Sequence, residues 1–395
     1  MSTRPPFAKE TLRYLARSDP AHRKARGQFF TPRALRDELL ARLELPPRAR
    51  ILDPACGTGE FLRAVAARWP DAEITGWEID PALPDVARAV APGAIVERRD
   101  ALEAPWREEF DAVVGNPPYF EFKPDPAVRK RYAAAISGRV NIYALFVQLG
   151  VELLKSGGVL AFVVSTSMTN GAFFRSLRES VLSRCRVEWL RIVPDVNVFE
   201  GVQQPVMLLV LRKGERDDGR FVFERGEHRI LAENPRDLTA LYEGRTTLAE
   251  LGYDVRTGTV VWNQRRAALT HEPDGAVRLI WSHDIREGEL VLDDPRPDRP
   301  PFVRGVEAKI GPAIVVNRVT GAGARARLRV AVVPRGMRFV AENHVNVVLP
   351  PMWAKPGEVE GVARALAEPA AVEAARRITG NTQVSATELR DLIPV

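Results

Sequence analysis

The sequence predicts an α/β protein built on a doubly wound, mostly parallel sheet with an antiparallel edge, followed by a mixed α+β domain. Apolar runs of strand length alternate with helix-length segments between residues 51 and 183, which is typical of βαβ units. The apolar runs that come next have no helix-length gap between them, which predicts antiparallel pairing. After residue 240 proline and glycine become frequent. We therefore divide the chain into domains 1–240 and 241–395.

The elements of the first domain follow in chain order. The apolar run 111–115 is typical of a strand that is buried on both faces of a parallel sheet. Helices are expected at 7–17 and 33–43, before the first strand. The alternating region predicts strands at 51–53, 73–77, 94–98, 111–115 and 159–164, and helices at 60–69, 81–90, 142–154 and 173–183. The runs 187–193, 206–211 and 221–223 are expected to form the antiparallel edge.

The second domain has a less regular pattern. Segment 293–301 contains four prolines and cannot form a regular element. Short strands are predicted at 313–316, 328–333 and 345–348, and helices at 358–366 and 371–378. The domain is therefore expected to be mixed α+β.

Composition excludes several classes of protein. Hydrophobic residues make up 45% of the chain and charged residues 27%, which is enough to bury a core. The longest apolar runs have strand length, far below the roughly 18 residues that span a bilayer, and the first ten residues contain no signal-peptide core. Two cysteines cannot form a disulfide framework or a four-cysteine zinc site, and the five histidines show no metal-ligand spacing. We expect a cytoplasmic protein with no metal and no membrane association.

The basic residues are unevenly distributed. The net charge is +6, but residues 1–36 contain nine Lys/Arg against two Asp/Glu, and residues 296–338 contain ten against two. The acid-free run 255–271 adds Arg256, Arg265 and Arg266. Such segments suit phosphate contacts, but solvated arginine faces are also common. Charge alone therefore leaves nucleic-acid binding open.

A glycine-containing loop follows the first predicted strand. Segment 53–59 reads DPACGTG and leads directly into a helix. Glycines there let the backbone approach a ligand closely, and a helix N-terminus favours an anionic group. The dinucleotide-binding version of this loop needs a third glycine, and Leu62 occupies that position. The loop therefore predicts a small-molecule site but argues against NAD.

Acidic residues end the first three strands of the alternating region. Asp53 follows the first strand, Glu78 ends the second, and Asp100 follows the third. A carboxylate at the end of the second strand can accept both hydroxyls of a ribose, and Asp100 is positioned to meet an adenine amino group. Three carboxylates above one crevice predict a binding site for a nucleoside-containing ligand.

The fourth strand is followed by the segment GNPPY, residues 115–119. The prolines stiffen the turn and remove two N–H donors, so that carbonyl oxygens remain as acceptors. The Asn116 amide oxygen and the Pro117 carbonyl can both accept hydrogen bonds from one exocyclic NH2 group. Tyr119 offers a flat face on which a base can stack.

These motifs occur in a characteristic order. Three segments follow one another, GQFFTP (27–32), DPACGTG (53–59) and NPPY (116–119), and 155 residues lie behind them at 241–395. In this order the sequence resembles the gamma-class, TaqI-like N6-adenine DNA methyltransferases of restriction-modification systems. The resemblance implies a class I S-adenosylmethionine-dependent methyltransferase domain at 1–240 and a target-recognition domain at 241–395. It also implies S-adenosylmethionine as cofactor, double-stranded DNA as substrate with the target adenine flipped out, and a separate cognate restriction endonuclease as partner.

The resemblance also implies roles for individual residues. Asp53 would bind the cofactor's ammonium group, Glu78 its ribose and Asp100 its adenine. The full cofactor set is Thr31, Pro32, Asp53, Ala55, Gly57, Gly59, Glu78, Ile79, Asp100 and Asn116. The catalytic set is Asn116, Pro117, Tyr119 and Phe199, where Phe199 would lie on the far side of the target base.

Other functions remain open from the residues alone. N4-cytosine methylation of DNA uses the same NPPY geometry. An RNA adenine methyltransferase is a nearer rival than a protein-glutamine methyltransferase, which would lack segment 27–32. A non-enzymatic DNA-binding specificity subunit is a further alternative, although intact Asp53, Glu78, Asn116 and Tyr119 argue against it.

Overall fold

The computed structural model describes residues 7–194, 205–286, 288–293, 296, 298–319, 327–355, 357–378 and 383–395. The chain separates into two compact units, which are described in turn below. The first comprises Met1–Glu224 and Arg229–Asn234, and the second comprises Arg225–His228 and Pro235–Val395. The division therefore falls slightly before the predicted boundary at 240.

The first unit is built on a seven-stranded sheet. Its seven strands are β1 (Arg50–Asp53), β2 (Glu73–Glu78), β3 (Ile95–Arg98), β4 (Phe110–Gly115), β7 (Leu154–Ser165), β8 (Cys185–Val193) and β9 (Val206–Lys213). The short strands β5 (Glu121–Phe122) and β6 (Val140–Asn141) pair with each other outside this sheet. The order across the sheet is β3-β2-β1-β4-β7-β9-β8. The first five strands in that order run parallel, and β9 is antiparallel to both β7 and β8. This arrangement confirms the predicted doubly wound sheet with an antiparallel edge.

Helices cover both faces of this sheet. They are α1 (Lys9–Arg17), α2 (Pro20–Ala25), α3 (Arg33–Leu40), α4 (Glu60–Arg68), α5 (Pro84–Val90), α6 (Pro126–Arg131), α7 (Ile142–Leu153), α8 (Ser167–Asn170) and α9 (Arg175–Arg184). Alternate strand residues face opposite sides: Leu52 and Val113 pack in one core cluster with α7 and α9, whereas Ile51 and Val114 pack in another with α3 and α4. No helix in the described ranges is long and apolar enough to cross a membrane.

Two sequence-based expectations for this unit were wrong in detail. The run 221–223 does not join the antiparallel edge. Instead, β10 (Val222–Arg225) pairs with β11 (His228–Leu231) in a separate hairpin, because Gly226 (φ 55°) permits a tight reversal there. Helix α2 was also missed, although it carries an ordinary start signal: Asp19 accepts a hydrogen bond from the Ala21 N–H, and Pro20 is the first helical residue.

The second unit is mixed α+β. Its helices are α10 (Pro235–Ala240), α11 (Glu358–Ala367), α12 (Pro369–Ile378) and α13 (Ala386–Asp391). Its strands are β12 (Asp254–Thr257), β13 (Leu269–Thr270), β14 (Val277–Ile280), β15 (Ile285–Arg286), β16 (Glu289–Leu290), β17 (Phe302–Val303), β18 (Lys309–Ile310), β19 (Ala313–Asn317), β20 (Val330–Val333), β21 (Arg338–Ala341) and β22 (Val345–Leu349). Nine of these strands form two sheets, in the orders β12-β22-β19-β20 and β13-β17-β14-β21-β18, and β15 pairs with β16.

Candidate active site

A cavity of about 360 Å³ lies within the first unit. Residues at the carboxyl ends of β1, β2 and β4 line it, together with the segment 26–31. The chain reverses its winding between β1 and β4, and open α/β sheets bind ligands in the crevice at such a switch point. The volume lies in the range of about 300–1,000 Å³ that is usual for small-molecule sites.

The cavity brings together most of the residues that the resemblance assigned to the cofactor. Thr31, Asp53, Ala55, Gly57, Glu78, Ile79, Asp100 and Asn116 line it. Pro32 and Gly59 do not. Pro32 precedes α3 as its N-cap. Gly59 precedes α4 with φ 83°, and a Cβ built there would lie 3.0 Å from the Ala87 Cα, so this glycine permits close packing of α4 on α5.

The glycine loop opens toward the cavity at Gly57. This residue has φ 55°, and a Cβ built on it would meet no atom within 4 Å. Its N–H donates to Glu78 Oε2 at 2.8 Å. The other carboxylate oxygen of Glu78 accepts the Asp80 N–H, also at 2.8 Å. The loop and the end of β2 therefore hold each other in place, and burial raises the pKa of Glu78 against the effect of these two N–H donors.

Asp53 is the most strongly perturbed acid of the cavity. It is 2% exposed, and burial raises its pKa to about 8, although the Ala55 N–H donates to Oδ1 at 3.1 Å and opposes the shift. The nearby charge of Glu78 raises the pKa of Asp53 further. Asp53 is therefore mostly protonated at neutral pH, and a cation in the cavity would restore its charge.

Gly115 is required by the position of Asp53. A Cβ built on Gly115 would lie 2.7 Å from Asp53 Oδ1, and the residue has φ 149°, a conformation that side chains other than hydrogen rarely adopt. The glycine that opens the GNPPY segment thus leaves room for the carboxyl group at the end of β1.

Two further cofactor candidates differ in exposure. Asp100 Oδ1 accepts the Leu102 N–H at 2.9 Å, which fixes the carboxylate at the end of β3. Ile79 is 49% exposed although it is a large apolar residue. Because it lines the cavity, its exposed surface is available to a flat apolar ligand group.

The Asn116 side chain has a defined orientation. Its Nδ2 donates to the Phe29 carbonyl at 2.8 Å, which places Oδ1 on the opposite side of the amide. The Tyr119 hydroxyl lies 2.5 Å from Asn116 Oδ1 and 2.7 Å from the Val163 carbonyl. A hydroxyl has one proton to donate, so only one of these two acceptors can receive it at a time. Asn116 Oδ1 can therefore exchange this donor for another.

The NPPY segment is only partly in contact with the cavity. Asn116 and Pro118 line it, whereas Pro117 and Tyr119 do not. The Tyr119 ring packs 6.0 Å from the Phe29 ring and 5.8 Å from the Tyr143 ring, measured between centroids. Burial raises the pKa of Tyr119 well above its usual value, so its hydroxyl stays neutral. Phe199 lies outside the described residues.

Sequence reasoning missed the aromatic side of the cavity. Phe29 and Phe30 come from the GQFFTP segment, whereas Phe120, Phe122 and Phe146 come from β5 and its surroundings and from α7. The signal was present in the sequence YFEF at 119–122, where alternate residues of a strand face the same side. These rings give the cavity an apolar part of its lining.

A buried ion pair supports Thr31. Arg36 and Glu60 side chains are 1% and 7% exposed and lie 3.0 Å apart, from Nη2 to Oε2. Arg36 Nη1 also donates to the Thr31 carbonyl at 2.7 Å. The pair joins residues 24 positions apart, so no local pattern in the sequence announces it.

Thr31 presents an unsatisfied donor to the cavity. It is 4% exposed, and its Oγ1 has no hydrogen-bond partner among the described residues. An unpaired buried hydroxyl costs about 1–3 kcal/mol, and a polar ligand in the cavity would remove that cost. Unpaired Thr31, raised pKa values at Asp53 and Glu78, and open space at Gly57 all fit a ligand that carries both a cationic and a hydroxyl-bearing part.

A second network closes the cavity near the N-terminus. Asp80 Oδ2 lies 3.1 Å from His22 Nε2 and accepts from Gln28 Nε2 at 2.8 Å. Gln28 Oε1 accepts from the Tyr14 hydroxyl at 2.9 Å. These contacts tie α1, α2 and the GQFFTP segment to the loop after β2.

No metal centre is found in the described part of the chain, where no group of three or more His, Cys, Asp or Glu residues is arranged to hold an ion. The absence of a metal stays a prediction.

The sequences of known proteins indicate which family this chain is similar to. Residues 77–199 match the profile of the family described as Eco57I restriction-modification methylase. The type II methyltransferase M.CvrRI of Paramecium bursaria Chlorella virus XZ-6E is 27% identical over 297 residues, which cover 72% of this chain and 75% of that protein. The modification methylase CviBIII of Paramecium bursaria Chlorella virus NC1A is 31% identical over 162 residues, or 40% of this chain and 42% of the relative.

The chain also aligns with solved structures at low similarity. The methyltransferase subunit of a type I restriction-modification system from Streptococcus thermophilus aligns with a TM-score of 0.40 and 17% identity, over 55% of this chain and 53% of that chain. The alignment with CviBIII spans less than half of that relative. Together, the family match and the relatives in sequence support a restriction-modification methylase.

Proposed function

We propose that this protein transfers a methyl group from S-adenosylmethionine to the N6 amine of a flipped-out adenine in double-stranded DNA, within a restriction-modification system. One observation carries the proposal: a cavity with carboxyl groups at three strand ends, two of them buried, also receives Asn116, whose amide oxygen can exchange its donor. The family match and the relatives named above support the DNA substrate.

The chain's own residues match the parts of this cofactor. Asp53 in its ionised form binds the ammonium group, and the Thr31 hydroxyl gains a partner beside it. Glu78 accepts hydrogen bonds from the ribose hydroxyls, Asp100 accepts from the adenine amino group, and Ile79 packs on the adenine ring. When bound, S-adenosylmethionine supplies a methyl group on a positively charged sulfur, which needs no further activation by the protein.

Asn116 and Pro117 act on the methyl acceptor. The lone pair of an exocyclic adenine nitrogen is delocalised into the ring, so that the nitrogen is a poor nucleophile. When the Asn116 amide oxygen and the Pro117 carbonyl accept its two N–H bonds, the nitrogen moves toward tetrahedral geometry and its lone pair becomes available. The Phe29 carbonyl keeps the amide oxygen in the accepting orientation. As the N–C bond forms, the S–C bond of the methyl donor would break and S-adenosylhomocysteine would leave. The N–H becomes acidic in this step, so its proton would pass to solvent without a strong general base.

The Tyr119 hydroxyl can give way without losing its hydrogen bond. It donates to the Val163 carbonyl while Asn116 Oδ1 accepts from the substrate amine. Flipping the base out of the duplex costs a few kcal/mol. Stacking on Tyr119 on one side and Phe199 on the other recovers about 1–3 kcal/mol per base. The residues 241–395 read the recognition sequence, and a separate restriction endonuclease is the expected partner.

The experiment is single-molecule sequencing of unmethylated plasmid DNA after incubation with the protein and S-adenosylmethionine. Asn116→Ala is run beside it, and Asn234→Ala, at an exposed position, serves as the matched control. The proposal predicts modified adenine at one short motif, with wild type and N234A but not with N116A. Cytosine modified at one motif would retain the fold and the geometry but refute the adenine target. Unmodified DNA, despite cofactor binding, would refute DNA methylation and direct attention to RNA or protein amides.

A further inference from the structure

The second unit contains a cavity of its own, of about 370 Å³. Its lining is dominated by arginine, tryptophan and histidine: Trp262, Trp281, Ser282, His283, Arg296, Arg299, Val319, Arg329, Glu342 and His344. None of these residues takes part in the site described above.

Arg299 contacts the rings of two tryptophans. Its guanidinium carbon lies 4.2 Å from the centre of the Trp262 ring and 5.2 Å from that of Trp281. Trp281 is 4% exposed and its indole N–H donates to the Pro300 carbonyl at 3.0 Å, so it is a fixed support. Rings that contact the face of a guanidinium leave the N–H groups at its edge available.

No strong ion pair occupies Arg299. The one carboxylate near it among the described residues is Asp298, at 3.6 Å, and this side chain is 74% exposed. Exposed pairs of this kind are screened by water and contribute little. The guanidinium of Arg299 can therefore exchange this partner for another anion at small cost.

The rest of the cavity adds positive charge. Arg329 donates to Ser282 Oγ at 3.1 Å and has no carboxylate partner in the described ranges; Arg296 also lines the cavity. The acid in the lining, Glu342, is 3% exposed, and its Oε2 is already occupied by the His344 N–H and ring at 2.9 and 2.8 Å. Burial is the largest cause that lowers the pKa of His283, and the positive charges of Arg296 and Arg299 lower it further. This direction fits a site that is short of anions.

We propose that Arg299, in contact with Trp262 and Trp281, binds a pair of hydrogen-bond acceptors in DNA, either O6 and N7 of a guanine or two oxygens of one phosphate. Both pairs match the planar fork of an arginine. The inference deepens the proposed function and rests on it, because it names the residue by which the second unit contacts the substrate. An arginine with only a structural role would donate to acceptors of the protein. In this cavity three arginines share one carboxylate, Glu342, which already accepts hydrogen bonds from His344.

The test measures binding of fluorescent duplexes that contain the motif found by plasmid sequencing. The variants are Arg299→Ala and Arg299→Lys, with Arg364→Ala, an exposed arginine of α11 outside the cavity, as the matched control. Affinity is measured over a salt series, and with duplexes in which each base pair of the motif is changed in turn. Thermal unfolding checks that each variant is folded, and R299K retains the charge if R299A proves unstable.

A guanine contact predicts that both variants lose roughly 10- to 100-fold in affinity for the motif and no longer discriminate at one guanine. A phosphate contact predicts a similar loss by R299A on every duplex, a smaller loss by R299K, and a salt slope lower by about one. Either result supports the proposal. Variants that bind and discriminate like wild type, while wild type methylates the motif, would overturn this inference alone. A wild type that neither binds nor methylates DNA would overturn the proposed function as well.

Discussion

The two units contain cavities of nearly equal volume, about 360 and 370 Å³, that differ in the sign of their charge. The first gathers Asp53, Glu78 and Asp100 at strand ends. The second gathers Arg296, Arg299 and Arg329. The first suits a cationic, hydroxyl-bearing cofactor, and the second suits an anionic polymer. A single chain can thus divide the binding of two oppositely charged substrates between two folding units.

The cavities also differ in how their charges are held. Backbone N–H groups of tight loops fix Asp53, Glu78 and Asp100, so the sheet itself determines their positions. Aromatic faces support Arg299, whose position depends on side-chain packing. The backbone therefore orients the carboxylates of the acidic cavity, whereas the orientation of Arg299 in the basic cavity depends on side chains.

The largest difference between the cavities is expected in their response to salt. Raising KCl from 50 to 200 mM should reduce affinity for the DNA motif by on the order of 10³-fold, if 6 or so phosphates are contacted, because counterions are released from DNA. Cofactor affinity should change by less than about threefold, because a buried site is screened little. Titrations of DNA and cofactor across the same salt series would measure both. Equal salt dependence of the two ligands would contradict the division of charge.

Removing Arg36 should have the largest effect on stability. Arg36→Ala leaves the buried Glu60 without its buried cationic partner, which costs about 3–5 kcal/mol of unfolding free energy, and the Thr31 carbonyl loses its hydrogen bond from Arg36. Arg63→Ala is the matched control, since Arg63 contacts the same Glu60 oxygen at 2.8 Å but is 41% exposed; its effect should stay below about 1 kcal/mol. Denaturant titration measures both. Equal losses of unfolding free energy in the two variants would show that the burial of Arg36 does not make its ion pair with Glu60 stronger than that of the exposed Arg63.

Filling the space beside Asp53 should weaken the acidic cavity selectively. Gly115→Ala places a Cβ 2.7 Å from Asp53 Oδ1, so the carboxyl group must move, and cofactor affinity should fall by roughly 100-fold, as expected when a charged contact worth about 3 kcal/mol is lost. Gly93→Ala is the control, because a Cβ there meets no atom within 4 Å. Calorimetric cofactor titration compares them. Wild-type affinity in G115A would remove Asp53 from the cofactor site.

Cofactor affinity is also expected to depend on pH. Burial raises the pKa of Asp53 to about 8, far above its value in the unfolded chain. The folded state therefore holds an extra proton between about pH 4 and 8, and its stability falls as pH rises through that window. A cationic ligand favours the carboxylate, so cofactor affinity should rise by up to about tenfold per pH unit toward pH 8 and level off above it.

The Asp53→Asn variant separates the pH dependence that Asp53 causes from the smaller pH dependence that Glu78 causes. Its cofactor affinity should be weaker than that of wild type and should depend less on pH. Titration calorimetry in buffers of different ionisation enthalpy should also detect proton release by wild type at pH 7 and a smaller release by D53N. Wild-type affinity that is the same at pH 6 and pH 8 would contradict the role of Asp53.

Local sequence signals explain why three carboxylates lie around the acidic cavity, and their roles in cofactor binding stay a prediction. Asp53, Glu78 and Asp100 each follow an apolar run, and parallel strands bring their carboxyl ends to one edge. The position of β9 between β7 and β8 could not be read from the sequence, because strand order at the antiparallel edge depends on tertiary packing. The Arg36–Glu60 pair escaped detection for the same reason: it depends on a long-range contact between α3 and α4.

The lining of the basic cavity could not be predicted from patterns in the sequence. The acid-free run 255–271 directed attention to Arg256, Arg265 and Arg266, and none of these three arginines lines the basic cavity. Arg299 lies in a proline-rich segment without periodicity, and its two tryptophans are 37 and 18 residues upstream in sequence. No local spacing announces such a cluster. Its existence depends on how β14 and the segment around residue 299 pack together.

The central claim is methyl transfer to adenine in DNA, and mass spectrometry of nucleosides tests it most directly. Unmethylated duplex DNA would be incubated with the protein and S-adenosylmethionine carrying a deuterated methyl group, then digested to nucleosides. The account predicts labelled N6-methyladenine in proportion to the number of motifs, and none from the Asn116→Ala variant. Labelled N4-methylcytosine in its place, or no label in DNA at all, would contradict it.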